Sequence, residues 1–335
     1  MNKLRILFVG NPSNGCLIRW LTLLPKGTDI EVFAPKSAEN NETLLDKQYR
    51  HEELIKTIKK FKPDFVHSIG TMDTGALVLA ARAATKFYWI ATSVGDDFGP
   101  LADIPKQRGL IRKVTKSCDR FVSAAESSVY SSLIPPDGMG FVCKWRDRTF
   151  AKPPSERRQI ILEGNFGLYG RSLVALAALE RCRELILEYE IIVVDAGTEV
   201  RIAAELFQAS TGICVKYLPG VTSADHLKRY ESAALSLNVS ICGGIHGSLL
   251  ETMFLGAIPI ESHTSCADKW IEHQKTGFLV DPDDPRHVES AIRAALAHPA
   301  LLDCAAKSNR TVIEQRWSNA KIVQAMANFY SRSVC

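Results

Sequence analysis

The feature that most constrains this chain is a repeated alternation. Short apolar runs of strand length are separated by segments of helical length along nearly the whole sequence. In the first half the runs are 4–9, 30–33, 65–69, 87–92, 120–124 and 140–144. In the second they are 159–162, 191–195, 213–217, 235–239, 257–260 and 277–280. Most are rich in Val, Ile and Phe. Between them lie stretches such as 173–188, with apolar residues at helical spacing. Strands separated by helices imply βαβ units and parallel sheets, an α/β chain.

Six runs on each side of residue 150 predict two doubly wound domains, as does a length of 335 residues. A hydrophobic content of 46% is enough for two sizeable cores and excludes a disordered chain. The segment 146–158 is polar and carries Pro153-Pro154, the composition of a linker. The expected division is a first domain over 1–150, a linker over 151–158, a second domain over 159–313 and a terminal helix over 314–335. In such sheets ligands bind beyond the carboxyl ends of the strands, so the cleft between the domains is the expected site.

The formal charge of +4 is too small for a claim about nucleic acid, and no basic patch interleaved with aromatics is present. Nine cysteines without a CxxC pair fit free thiols in a reducing compartment. The N-terminus lacks the pattern of a leader, and no run reaches the ~18 apolar residues of a spanning helix. The expected location is cytoplasmic.

Several catalytic signatures are missing. The turn Gly10-Asn11-Pro12-Ser13-Asn14-Gly15 has phosphate-loop spacing, but Cys16-Leu17 follows where Lys and Ser or Thr belong. It reads as a strand-to-helix turn or as a glycine-rich wall for a substrate. Cys242-x3-His246 and His263-x2-Cys266 could form a zinc set, yet the spacing fits no standard finger, and no metal is expected.

The richest segment is 235–253. A strand runs into a loop holding Gly243, Gly244 and His246, then into an apolar helix opened by Gly247-Ser248-Leu249-Leu250-Glu251. Ser248-x-x-Glu251 reads as a capping box, and the free amides of a helix N-terminus favour an anion. The plainer reading is that these residues only cap the helix and turn the chain.

The run 247–260 (GSLLETMFLGAIPI), Trp270-Ile271 and Thr276–Pro282 (TGFLVDP) resemble the donor-binding half of the retaining glycosyltransferases of family 4. Lys62–His67 (KPDFVH) resembles the family's PDxxH strand, and Thr92–Asp97 (TSVGDD) its HGxD turn. The segment 164–171 resembles the loop that opens the second domain. The resemblance implies the GT-B architecture, two Rossmann-like domains facing across a cleft. It also implies metal-independent transfer of a sugar, with retention, from a UDP- or GDP-linked donor to a glycan, lipid-linked or small-molecule acceptor.

Carried over residue by residue, Arg171 would grip the donor diphosphate, and Asn165 stands where the family has a second basic residue. Glu251 matches the second acid of the family's E-x7-E element and would bind the ribose. The first acid of that element falls at Gly243. Gly164, Gly244, His246, Ser248 and Leu249 would complete the donor site. Asn14, Gly15, His67, Gly95 and Asp97 would face the acceptor. Asp97 joins Arg171 and Glu251 among the catalytic candidates, although the family's usual histidine is replaced by Val94. The family's final helix crosses back to the first domain, and 314–330 is placed to do so.

Residues 106–116 carry five positive charges and no acid, with Leu110, Ile111 and Val114 at helical spacing. They read as a helix packed on its own sheet or as a peripheral contact with an anionic membrane. Two other functions stay open. One is a nucleotide-sugar epimerase of the same architecture, with His67, His246 and His263 as candidate acid–base groups. The other is a non-catalytic partner subunit, given Gly243 and Asn165.

Overall fold

The computed structural model describes residues 3–12, 15–35, 44–93, 105–122, 152–164, 169–218, 223–241, 247–317, 324 and 328–330. The chain forms two compact units. Unit 1 is Met1–Val142 with Asn319–Cys335, and unit 2 is Cys143–Ser318.

Unit 1 holds β1 (Arg5–Val9), β2 (Asp29–Phe33), β3 (Phe65–Ile69), β4 (Trp89–Thr92) and β5 (Arg120–Val122). They form one parallel sheet in the order β2-β1-β3-β4-β5. Helices α1 (Gly15–Leu23), α2 (Leu44–Phe61), α3 (Asp73–Ala84) and α4 (Pro105–Ser117) connect the strands. Every residue of β3 is buried, because a central parallel strand is covered on both faces. Ile111 and Val114 of α4 are buried, so the apolar side of this basic helix packs inward. Lys106, Arg108, Arg112, Lys113 and Lys116 remain exposed.

Unit 2 holds β6 (Gln159–Glu163), β7 (Glu190–Val194), β8 (Val215–Leu218), β9 (Ala233–Asn238), β10 (Ile258–Ser262) and β11 (Phe278–Val280). This parallel sheet runs β11-β10-β9-β6-β7-β8. Its helices are α5 (Ser172–Arg181), α6 (Thr198–Thr211), α7 (Ser223–Ser232), α8 (Gly247–Leu255), α9 (Pro285–Ala297) and α10 (Pro299–Trp317). Local chemistry sets several ends. Asp284 caps α9 by accepting from the Arg286 amide at 2.9 Å, with Pro285 in the first turn. Gly212, at φ 74°, ends α6 in the left-handed region.

Alternation along β6 sorts its side chains by face. Ile160 and Leu162 join the core beneath α5, α6 and α9, with Ile191, Val193, Leu235, Leu237 and Ile292. Glu163 takes the opposite parity, the face of α7 and α8.

Eleven of the twelve anticipated strands have counterparts among the described residues, and the run 140–144 lies outside them. The helix expected over 173–188 ends at Arg181 and gives way to a short 3-10 turn at Arg183–Leu185. The helix expected to start at 314 does not start there, since α10 continues unbroken through Trp317. Residues 152–158 are no loose linker. Ser155 donates to the Asp303 carboxylate from its amide (3.1 Å) and its hydroxyl (2.8 Å). Arg157 is 3% exposed and donates to the carbonyls of Lys152, Tyr230, Ala233 and Leu255. One buried cation thus gathers the carboxyl ends of α7 and α8 and the start of β9, where helix dipoles favour positive charge. No described helix is long and apolar enough to cross a membrane.

Candidate functional site

The carboxyl ends of β6, β9 and β10 carry an unusual set of polar groups for the rim of an apolar sheet. Glu163 is the last residue of β6, Asn238 the last of β9, and Glu261 lies in register with Asn238 on β10. Glu261 is 2% exposed, whereas Glu163 is only partly buried. Tyr230, from the last turn of α7, is fully buried and donates its hydroxyl to the Glu163 carboxylate. Ser248, in the first turn of α8, donates a second hydroxyl to the same carboxylate. Glu251, one turn further along α8, is partly exposed beside Glu163, and Asp195 beyond β7 is exposed.

This grouping changes the acids. Burial pushes the Glu163 carboxyl up to about 7; the Tyr230 and Ser248 hydroxyls pull it back, and the charges of Glu251 and Asp195 push it further up. Burial also holds Glu261 well above the usual carboxylate range, with Glu163 adding to the rise and Asn238 opposing it. The Tyr230 phenol is raised by burial and by Glu163, so it stays protonated and remains a donor.

Two loops meet at this rim. The Arg171 amide donates to the Val239 carbonyl at 2.9 Å, and the Ile241 amide to the Tyr169 carbonyl at 2.9 Å. The stretch 169–171 that leads into α5 is therefore tied to residues 239–241 after β9. Gly164 is demanded by packing, since a Cβ there would sit 2.6 Å from the Val194 carbonyl oxygen and from the Ala196 Cα.

Among the sequence candidates, Glu251, Ser248 and Leu249 fall on the first turns of α8, near Glu163 at the end of β6. Leu249 is buried. The capping box is corrected: α8 begins at Gly247, so Ser248 lies inside the helix, and its hydroxyl goes to Glu163. Arg171 stands at the N-terminus of α5 and pairs through Nε with Asp283 at 2.6 Å. Gly15 opens α1.

His67 departs most from expectation. It is fully buried in β3, with Nε2 2.6 Å from the Thr92 hydroxyl and Nδ1 2.8 Å from the Tyr330 hydroxyl. Trp20, Phe8 and Tyr330 surround the ring, and burial lowers its pKa to about 3, so it is neutral. With both ring nitrogens engaged and no exposed surface, it anchors the residues near the C-terminus and does not face an acceptor. Arg120 strengthens that anchor, donating to the Phe329 carbonyl at 3.0 Å with its guanidinium 3.8 Å above the Phe329 ring. His263 places Nδ1 2.9 Å from the Val280 carbonyl. Asn14, Gly95, Asp97, Asn165, Cys242, Gly243, Gly244 and His246 lie outside the described residues.

Sequence reasoning missed Glu163, Tyr230 and Glu261. Only Glu163 left a signal, an acid at the carboxyl end of an apolar strand directly before a glycine.

No family model matches the sequence, and no curated protein does. Solved structures do resemble it. HepE from Anabaena, in complex with UDP and glucose, superposes with a TM-score of 0.75 at 15% identity, over 98% of this chain and 99% of its own. The sucrose-phosphate synthase of Thermosynechococcus elongatus gives 0.73 at 14%, again over 98% and 99%. A Listeria monocytogenes protein assigned as a UDP-N-acetylglucosamine 2-epimerase gives 0.64 at 12%, over 91% of each chain. With two parallel sheets and interleaved helices over the full length of these neighbours, the chain has the GT-B fold.

Proposed function

We propose that the protein is a metal-independent, retaining glycosyltransferase that takes its sugar from a UDP- or GDP-linked donor bound in unit 2. The observation that carries this reading is the rim of the second sheet, where the amino end of α8, the partly exposed Glu251 and the Arg171 loop come together. The amides that open α8 would receive the diphosphate, aided by the helix dipole. Glu251 would accept hydrogen bonds from the ribose diol, which two carboxylate oxygens suit. Arg171 would exchange Asp283 for phosphate oxygens, a planar fork well matched to that group.

Cleavage of a glycosyl–phosphate bond builds positive charge on the sugar and negative charge on the leaving diphosphate. Once the donor is bound, fixed amide dipoles and one guanidinium beside the diphosphate would stabilise that change. Asn165, Gly243, Gly244 and His246 complete the donor side of this reading. Asn14, Gly15, Gly95 and Asp97 belong to its acceptor side, for a glycan, lipid-linked or small-molecule acceptor. The UDP and glucose held by the HepE neighbour support a uridine nucleotide sugar as the first donor to try. The epimerase reading draws on the Listeria neighbour but loses His67, which is sealed in unit 1.

Thermal shift with UDP, GDP, ADP and their sugar conjugates tests the proposal. A ligand that binds only the folded protein, at 100 times its Kd, stabilises it by about 2.7 kcal/mol. One nucleotide family should raise the melting temperature, and Glu251→Ala and Arg171→Ala should each weaken that ligand at least about tenfold. A folded protein that responds to none of them overturns the reading.

A further inference from the structure

We infer that Glu163 is a positioning residue of the donor site, which holds the first turn of α8 through Ser248 and sets the affinity for an anionic donor by its charge. The inference rests on the donor-site reading above and deepens it, because that reading assigns Glu163 no part.

The geometry is specific. One carboxylate accepts from two hydroxyls on two different helices, Tyr230 of α7 and Ser248 of α8. Tyr230 is also fixed through its backbone, since its carbonyl accepts from the buried Arg157, which holds the Leu255 carbonyl as well. Helix α8 is therefore gripped at its carboxyl end by Arg157 and at its first turn by Glu163. A nine-residue helix held at both ends presents its N-terminal amides in a fixed direction.

The charges that face Glu163 come from every side. Glu251 lies on α8, Asp195 follows β7, Glu261 lies on β10 and the Tyr230 phenol reaches in from α7. Every titratable neighbour among these is an acid. An ionised Glu163 places a further negative charge behind the helix end that would receive the diphosphate, and protonation removes it. The carboxyl titrates at about 7, so the change falls within ordinary working pH. Donor binding and protonation of Glu163 should then favour one another, as linkage requires.

The test is calorimetric titration with UDP-glucose, UDP-N-acetylglucosamine and GDP-mannose, whose diphosphate diesters keep their charge over the range used. For the sugar nucleotide that binds at about pH 6, wild-type affinity should fall about fivefold by about pH 8, the fall setting in near 7 with its midpoint above that. Glu163→Gln keeps a hydrogen-bonding side chain of the same shape, and should bind across that range with nearly the wild-type affinity of low pH. Tyr230→Phe removes one donor to the carboxylate and should move the wild-type midpoint upward. Circular dichroism checks that both variants are folded. A wild-type affinity that does not change with pH overturns this role while leaving the donor reading intact, and so does an unaltered slope in a folded Glu163→Gln. Failure of all three donors to bind at any pH removes both.

Discussion

His67 in unit 1 and Glu163 in unit 2 are built on one plan with opposite outcomes. Each is a titratable residue on an interior strand of a parallel sheet, and each is held by the hydroxyl of a fully buried tyrosine, Tyr330 or Tyr230. Among the described residues, the other groups against His67 are aromatic or neutral, Trp20, Phe8 and Thr92, and no part of the residue meets solvent. Among the described residues, the other titrating groups that act on Glu163 are acids, and an edge of the residue stays accessible. The same strand–tyrosine pairing thus makes a dry fastener in one unit and an ionisable rim in the other. The surroundings decide which.

The comparison breaks most sharply at Tyr330. Replacing a fully buried aromatic by alanine costs about 3–5 kcal/mol, and here it also leaves a buried imidazole nitrogen without its hydroxyl. Tyr330→Ala should therefore destabilise unit 1 by about that amount, and Tyr330→Phe by about 1–3 kcal/mol. Hydrogen exchange read on peptides from β3 and β4 should show the loss, with peptides from β6 and β7 little changed. Equal exchange in all of them would mean that the residues near the C-terminus fasten nothing.

Acid titration sharpens the contrast at a smaller scale. Folded His67 binds its proton only near pH 3, against 6.5 in its ordinary state, so its contribution is complete above 6.5 and is lost as pH falls towards 3. Glu163 runs the other way. Its folded carboxyl holds a proton up to about 7 against 4.5, so stability falls as pH rises through that window and is then level. Between about pH 4.5 and 6.5 the two act with opposite slopes, each at most about 1.4 kcal/mol per pH unit. Urea unfolding at several pH values should find that Glu163→Gln leaves stability rising more steeply with pH than in the wild type. His67→Gln should leave it rising less steeply. Parallel curves for the two variants would show that the residues do not titrate in opposite senses.

The fold was legible because its strands announce themselves. Ile160-Ile161-Leu162 and Ile191-Ile192-Val193-Val194 are unbroken apolar runs that only a doubly covered sheet accommodates. The rim was half legible. The glycines and Ser248–Glu251 pointed to the start of α8, but the partner of Ser248 lies 85 positions earlier in the chain. Tyr230 drew no reading from the sequence, and Arg157 fell within the polar linker, because the contacts that define them span 67 and 73 positions. His67 shows the converse error. Its neighbours Phe65, Val66 and Ile69 already indicated a strand covered on both faces, yet likeness to a family motif drew it towards the acceptor.

The smallest expected effect probes the rim of unit 2 from outside. Arg171 and Asp283 pair at 2.6 Å with side chains 26% and 66% exposed, and such a surface pair contributes about 1 kcal/mol or less. Asp283→Asn should therefore barely alter stability. Its consequence for donor binding is larger if Arg171 serves the diphosphate, because the carboxylate competes with phosphate oxygens for the same guanidinium. Removing that competitor should tighten the sugar nucleotide by about two- to fivefold in the titrations described above, an amount in keeping with the modest worth of an exposed pair. Weaker binding in Asp283→Asn would reverse the assignment: Asp283 would then be the group that aims Arg171, and the guanidinium would reach the donor only while that pair is intact.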